Sequence, residues 1–503
     1  MKYISTFIFA VAAMIMVLPA ASADIEVEII HSFEHAVAYD INNSTQIVGT
    51  VQSGGITTPM IWDPVTGITL LPGATGHCGA FGVNNNSESV GRLNTGSGNP
   101  EFACLWEADT TLVPIGIPAG DYDYSTAHDA NDAGVVALYA TEALVGPDVN
   151  DTYVWDAVNG FTMLPHLSWN DEATIPYEIS NNGWVAGTSM NGYDQHAVYW
   201  DENGNIHDLG MLNGMPSKAW GLNDHGQVVG QTTVFNSDAW IWDETNGMVQ
   251  LQDYGYIAVA YDINNNGWIV GYADVEPWDP KPVVWDPDGN IYNLQELLGY
   301  DEYYFYGDSW FISSINDKNE VYATAYSMTT GNQTVVVIAL PPEPVELPLD
   351  IKPGSCPNPL NIKGNGKLPV AILGTEDFDV MDIDPNSITI ARADGEMGSA
   401  GVNVKPNGLL HFSYEDVGTP YDGDPCGCHE MGGDGYMDLS IKFNTQDLVA
   451  ALALDTEMND TELELVVSGT FMNGLSFETT GAFEARDCLL IKGNNDLFTA
   501  KSK

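Results

Sequence analysis

Seven copies of one short pattern constrain this chain more than any other feature. Each copy is a strand ending in Asn, a polar turn that often holds Gly, and a second strand ending in Val-Gly. The copies read AYDINNSTQIVG from Ala38, AFGVNNNSESVG from Ala80, AHDANDAGVVA from Ala127 and PYEISNNGWVAG from Pro176. AWGLNDHGQVVG from Ala219, AYDINNNGWIVG from Ala260 and a degraded ISSINDKNEVYA from Ile312 follow. The turn-opening residues are Asn42, Asn84, Asn131, Ser180, Asn223, Asn264 and Asn316, spaced 42, 47, 49, 43, 41 and 52 residues apart. A period in the forties built only of short strands is that of a β-propeller blade.

Each copy continues in the same way. A third strand ends in Trp-acid in six copies, at Trp62, Trp106, Trp155, Trp200, Trp242 and Trp285, and a Gly-bearing turn leads to a fourth. Asn and Asp bond their own backbone in such turns, and Gly supplies positive φ. The Trp row resembles a sugar-stacking array, but its fixed place in the repeat predicts packing between adjacent blades. The seventh copy lacks a fourth strand, while a spare strand, Ile25–His31, precedes the first copy. Pairing it with Thr334–Ile338 closes the ring and removes exposed edges. The predicted fold is all-β: a seven-bladed β-propeller followed by a β-sandwich.

The ends set the boundaries. Lys2, the apolar run Ile4 to Leu18 and Ala21-Ser22-Ala23 read as a signal peptide over residues 1–23, so the expected location is secreted or extracellular. The propeller is expected over 24–340, a stiff Pro-rich linker over 341–348, the sandwich over 349–493 and a polar tail over 494–503. Within the sandwich, a short helix is predicted at Thr445 to Leu452, capped by Asn444 or Thr445.

Charge excludes whole classes of partner. The formal net charge is −54, and from residue 24 to 346 there are 44 acids against four bases, Arg92, Lys218, Lys281 and Lys318. Such a surface repels nucleic acid and anionic membrane. With no second long apolar run, membrane insertion is not expected. Phosphate chemistry lacks the basic residues it needs, and no cofactor motif is visible. The six cysteines read as disulfide formers in an oxidising compartment: Cys78 with Cys104 inside the second copy, and Cys356, Cys426, Cys428 and Cys488 in the tail.

The copies resemble the HAF-type extracellular repeat of exported bacterial and archaeal proteins. The resemblance rests on A-x-D-I-N-N-x-G-x-x-V-G followed by A-x-x-W and covers residues 38 to about 340. The His-Ala-Phe triplet behind the family's name is nearly absent, Gln195-His196-Ala197-Val198 coming closest. The resemblance implies location and fold, not chemistry. Leu349–Pro359 and Leu368–Gly374 resemble a recurrent C-terminal module of secreted multidomain proteins.

Three sets of residues are candidates for a site. Two positions before the turn Asn stand Asp40, Asp129, Glu178 and Asp262, on innermost strands. They either face the channel as a ring able to hold Ca²⁺ through hard oxygens, or bond their own turn or a neighbouring strand. Tyr300, Tyr303, Tyr304, Phe305, Tyr306 and Trp310 crowd the insertion before the seventh copy, where a ligand-binding loop is expected. Asp422, Asp424, Asp434 and Asp438 fill a Gly-rich stretch that reads either as a calcium loop or as a plain acidic turn. The expected function is an extracellular or cell-surface binding module for polysaccharide or a surface protein, stabilised by Ca²⁺. The alternative is a secreted carbohydrate-active hydrolase or lyase using channel-mouth carboxylates.

Overall fold

The strand-turn-strand copies become the inner halves of seven four-stranded antiparallel sheets in the computed structural model. The structure describes residues 25–492, apart from 26, 54–55, 75, 77, 95, 97–99, 143–148, 169–173, 234–236, 306–312, 342–344, 376–377, 394–397, 406–408, 421–429, 458–459 and 472–481. The predicted signal peptide and polar tail lie outside the described residues. Contacts divide the chain into two compact units at Pro341/Pro342.

Six blades are consecutive hairpin meanders over 36–70, 79–116, 124–163, 175–210, 217–250 and 258–293. The seventh closes the ring as expected. Strand Glu28–Glu34 pairs antiparallel with Gln333–Ala339, from Glu28 opposite Ala339 to Glu34 opposite Thr334. It starts three residues later than the sequence suggested and runs three further. Ile25 and Val27 still pack on the seventh blade's core. That blade's innermost position is shared by Tyr303–Tyr304, opposite Ser327 and Tyr326, and by a bridge from Ile315 to Val321.

Two rings of hydrogen bonds knit the seven inner turns. In the inner ring the turn-opening Asn is buried, and its Oδ1 accepts the backbone N–H groups two and four residues on, as Asn42 does from Ser44 (3.0 Å) and Gln46 (2.9 Å). Its Nδ2 donates to the carbonyl of the equivalent residue in the next blade: Asn42 to Asn84 (2.9 Å), Asn84 to Asn131 (3.0 Å) and Asn131 to Ser180 (3.1 Å). The series resumes with Asn223 to Asn264 (3.0 Å), Asn264 to Asn316 (2.9 Å) and Asn316 back to Asn42 (2.9 Å). Ser180, too short and without an amide, is the gap. The outer ring is complete. Asn85, Asp132, Asn181, Asp224, Asn265, Asp317 and Asn43 each accept, through Oδ1, the backbone N–H of the equivalent residue one blade earlier, at 2.7–3.0 Å.

The Trp row packs between blades. Trp106, Trp200 and Trp285 are fully buried and donate Nε1 to Pro72, Pro165 and Gln252 carbonyls of the preceding blade (2.8–2.9 Å). Trp62 stacks on Phe33 of the closing strand at 4.7 Å. Cys78 and Cys104 are buried free thiols in the same packing. The expected bond between them is therefore corrected: Cys78 Sγ accepts the Asn94 N–H instead (3.0 Å).

The C-terminal unit is one nine-stranded mixed sheet around one core, with a separate two-stranded ribbon. Val345–Ile351, half of which read as linker, is a strand shared by both halves of that sheet. Its first half runs parallel to Phe483–Arg486 and its second antiparallel to Val370–Ile372. The sandwich halves are thus continuous. The predicted helix is Thr445–Ala451, capped by the Asn444 side chain. Cys356 and Cys488 are each engaged in a disulfide, and Cys426 and Cys428 lie outside the described residues.

The rings predict their own tests. Asn84→Ala removes four side-chain hydrogen bonds, one of them buried, and should cost about 2–4 kcal/mol in chemical denaturation, since each orphaned buried partner costs about 1–3 kcal/mol. Ser180→Asn supplies the missing donor toward Asn223 and should stabilise by about 1 kcal/mol.

Candidate functional site: the central channel

A β-bulge makes the site. In six blades the register between the two inner strands slips by one residue, at Tyr39, Phe81, His128, Tyr177, Trp220 and Tyr261. A bulge puts two residues opposite one and re-aims side chains. Here it lets the extra residue and its successor face the same space. All six bulge residues line the central cavity, as do Asp40, Asp129, Glu178 and Asp262 just after four of them. The bulge also explains the Gly of Val-Gly. A Cβ on Gly49, Gly91 or Gly271 would lie 1.9–2.0 Å from the carbonyl oxygen of Val37, Gly79 or Val259 on the bulged strand.

The bulge residues form a file of rings around the channel. Centroid distances run 5.3 Å from Tyr39 to Phe81, 6.4 Å to His128, 5.7 Å to Tyr177, 4.3 Å to Trp220 and 5.7 Å to Tyr261. The cavity has a volume of about 850 Å³, and Arg92, Thr126, Tyr139, Gln231 and Tyr272 complete its wall. Lys218 Nζ lies 4.7 Å from the Trp220 ring centroid and 5.6 Å from that of Tyr177.

The carboxylates face the channel and also staple the blades, so the two sequence readings coexist. Asp40 accepts from Val83 N–H of the next blade (2.7 Å), Asp129 from Ile179 (3.0 Å), Glu178 from Leu222 (3.2 Å) and Asp262 from Ile315 (2.9 Å). The second oxygens of the three Asp residues accept their own next N–H, from Ile41, Ala130 and Ile263. Ser314, the equivalent residue in blade seven, donates to Asp40 (2.7 Å). Blades two and five carry Gly82 and Gly221 at this level, where a Cβ would sit 2.7 Å from the following blade's backbone at Asp129 and Tyr261.

Burial raises the pKa of all four acids. Asp129 is pushed up to about 7 and Asp262 to about 6, against hydrogen bonds that pull the other way. Asp40 and Glu178 rise well above the carboxylate range, through burial first and the other channel carboxylates next. The neighbouring Glu178 carboxyl works the other way on Asp262, holding it down a little against burial. Burial, aided by Arg92, lowers His128 to about 4 and keeps it neutral.

The other candidates are placed differently. Tyr303 packs on the seventh blade's core, and Tyr304 meets Lys281, whose Nζ is 5.0 Å from its ring centroid. Phe305 is fully buried, its N–H held by Gln295 Oε1 (2.8 Å). Tyr300 is exposed, while Tyr306 and Trp310 lie outside the described residues. In the tail, Asp422 and Asp424 also lie outside them. Asp434 accepts Tyr436 N–H of its own turn (3.0 Å), and buried Asp438 accepts N–H groups of Gly374, Val417 and Gly418 at 2.7–3.1 Å. Among the described residues, no group of three His, Cys, Asp or Glu is placed to hold a metal ion.

Sequence reasoning missed the aromatic file. Its signal was visible: the residue between the small or Pro position and the acid in A-x-D is aromatic or His in six of seven copies.

No family model and no curated protein matches the chain. Among solved structures it resembles TolB from Acinetobacter baumannii at 12% identity and a TM-score of 0.32, over 63% of this chain and 99% of that one. A gluconolactonase from Xanthomonas campestris gives 12% and 0.32, over 61% and 97%. The Pyrococcus horikoshii acylaminoacyl peptidase gives 8% and 0.41, over 92% and 66%.

The channel acids predict a pH dependence. A carboxyl whose folded pKa is raised contributes stability that is fully present below about pH 4 and is lost as pH rises through about 6 to 7. His128 opposes this, because the unfolded imidazole takes a proton below about pH 6.5 that the buried one refuses. Four acids against one His set the sign. The melting temperature should be lower at pH 7.5 than at pH 5.5, and Asp129→Asn with Asp262→Asn should flatten the slope.

Proposed function

We propose that the chain is an exported binding module whose ligand lies in the propeller's central channel. The observation that carries this is the file of six bulge-borne rings that lines, with four carboxyl groups, a cavity of about 850 Å³. A scaffold needs no aromatic bulge repeated in six blades, whereas a concave, largely apolar wall with a few convergent polar groups is what a small ligand needs. Hydrolysis receives less support. The oxygens of Asp40, Asp129 and Asp262 already accept main-chain donors. A catalytic pair needs one carboxylate free to take or give a proton at the substrate.

Binding of the mature protein to a broad glycan and metabolite panel should be lost at least tenfold in Trp220→Ala with Tyr261→Ala. It should be unchanged in Tyr300→Ala. The reverse pattern would move the ligand to the outer loops and end the channel reading.

Calcium is proposed as a stabilising ion of the Asp422–Asp438 stretch. Because a chain of net −54 relaxes in any salt, the test is a melt in millimolar Ca²⁺ against sodium chloride at matched ionic strength. Equal shifts would mean that no specific calcium site exists.

A further inference from the structure

We infer that the channel selects a methylated ammonium group, held against the aromatic file; this rests on the channel-binding reading above. Four observations converge on that chemistry.

The channel is rich in acids that lack basic partners. Asp40, Asp129, Glu178 and Asp262 face it, and none of them makes an ion pair among the described residues. The other charged and titratable groups that line the space are Arg92, His128, five tyrosines and, at the inner turns, Asp132, Asp224 and Asp317; Lys218 lies behind two of the rings. Arg92 is engaged with Glu101 at 3.0 Å, and His128 is buried. A cation entering is therefore drawn by the propeller's own field and meets acids that can give up protons to compensate it.

The oxygens decide which cation. Both oxygens of Asp40, Asp129 and Asp262 accept main-chain N–H groups. A primary ammonium or a hard metal ion needs open acceptors at close range. A quaternary ammonium needs none. It takes π faces with carboxyl groups close by, which is what the rings and the acids of this cavity present.

The rings already hold one cation. Lys218 Nζ rests over Trp220 and Tyr177, and among the described residues it makes no ion pair in a chain with 69 acids. Tyr39, Phe81 and Tyr261 line the same cavity.

A buried hydroxyl waits for a partner. Thr126 lines the cavity, is 4% exposed, and its Oγ1 has no hydrogen-bond partner. It stands two residues before His128 on the same inner strand. An ammonium head carrying a short oxygen-bearing arm, as in choline or trimethylglycine, satisfies both sides.

The experiment is calorimetric titration of the mature protein with choline, with tetramethylammonium, and with 3,3-dimethyl-1-butanol, the uncharged isostere of choline. Sodium chloride holds ionic strength constant. Choline should bind at least tenfold more tightly than the butanol, with tetramethylammonium between them. Tyr261→Leu should weaken choline at least tenfold, and Thr126→Val should erase the gap between choline and tetramethylammonium. Lys218→Met should tighten choline several-fold, because it removes a like charge and frees two rings. A melt of each variant confirms that it is folded. Equal binding of choline and its isostere overturns the inference but leaves the channel as the binding site. Weaker choline binding in Lys218→Met points instead to an anionic ligand and also overturns it. No binding of any probe, alongside a panel ligand lost in Trp220→Ala with Tyr261→Ala, refutes the ligand class alone. No binding of either kind refutes both.

Discussion

The propeller depends on a side-chain amide that does two jobs at once. The turn-opening Asn accepts backbone donors within its own turn and donates to the next blade's turn. A propeller blade is a small twisted sheet that cannot bury both faces alone, so its stability lies in its neighbours. Most of that contact is apolar, and the Trp row and the alternating Val and Ala supply it. Apolar packing is non-directional, however. The Asn ring fixes height and rotation of each blade against the next through directional, buried hydrogen bonds. The outer Asx ring repeats the restraint at the surface. Asp there is never next to Asp: Asp132, Asp224 and Asp317 are each flanked by Asn, so amide donors meet carboxylate acceptors.

That restraint is what allows the channel to be built from irregular backbone. Six bulges interrupt the innermost ladders, where an unpaired residue would ordinarily weaken the sheet. In four of the six blades the carboxylate after the bulge ties down the next blade's N–H, which offsets the lost ladder bond. The Gly of the second strand in turn lets the bulged carbonyl approach. One local device therefore produces an aromatic for the channel, an acid for the seam and the Gly of the repeat. Blade three departs with Leu138 in the Gly position and still bulges at His128. The Gly eases the approach there without being its sole cause.

How much of this was legible follows from the range of each interaction. The blade count, the closing strand, the Trp wedges and the Asn444-capped helix follow from periodicity and local turn chemistry, and all could be read from the sequence. The four channel acids could be located but not interpreted, because their partners are 43 to 53 residues away in the next blade. The aromatic file was hidden by an assumption of strict alternation. With Asp40 facing the channel, period-two reasoning turns Tyr39 away from it, and only the bulge brings both round. The thiols of Cys78 and Cys104 sit in one core, yet composition and compartment alone suggested a bond that the packing does not contain. In the tail, Asp350 and Asp487 are buried and pushed up to about 6 and 7 by burial. Nothing in their sequence surroundings distinguishes them from the exposed acids.

The extreme charge is reconciled with a packed ring by where the acids sit. Those at the strand three to four turns, Asp63, Asp156, Asp201 and Asp243, accept N–H groups of their own turn. Those hydrogen bonds hold all four below the usual carboxylate range, Asp201 down to about 2 against the opposing effect of burial. They stay ionised at the rim, where water and salt screen them. The channel acids are in the opposite situation, since burial makes charge costly and each neighbour's charge adds to the cost. They therefore hold their protons to a higher pH than the rim acids do. Two of the propeller's four basic residues, Arg92 and Lys218, stand at this channel. The interior is thus an aromatic space with acids of raised pKa, inside a strongly anionic shell. A shell of that sign gathers cations at the mouth, and a space of that kind favours the least hydrated among them.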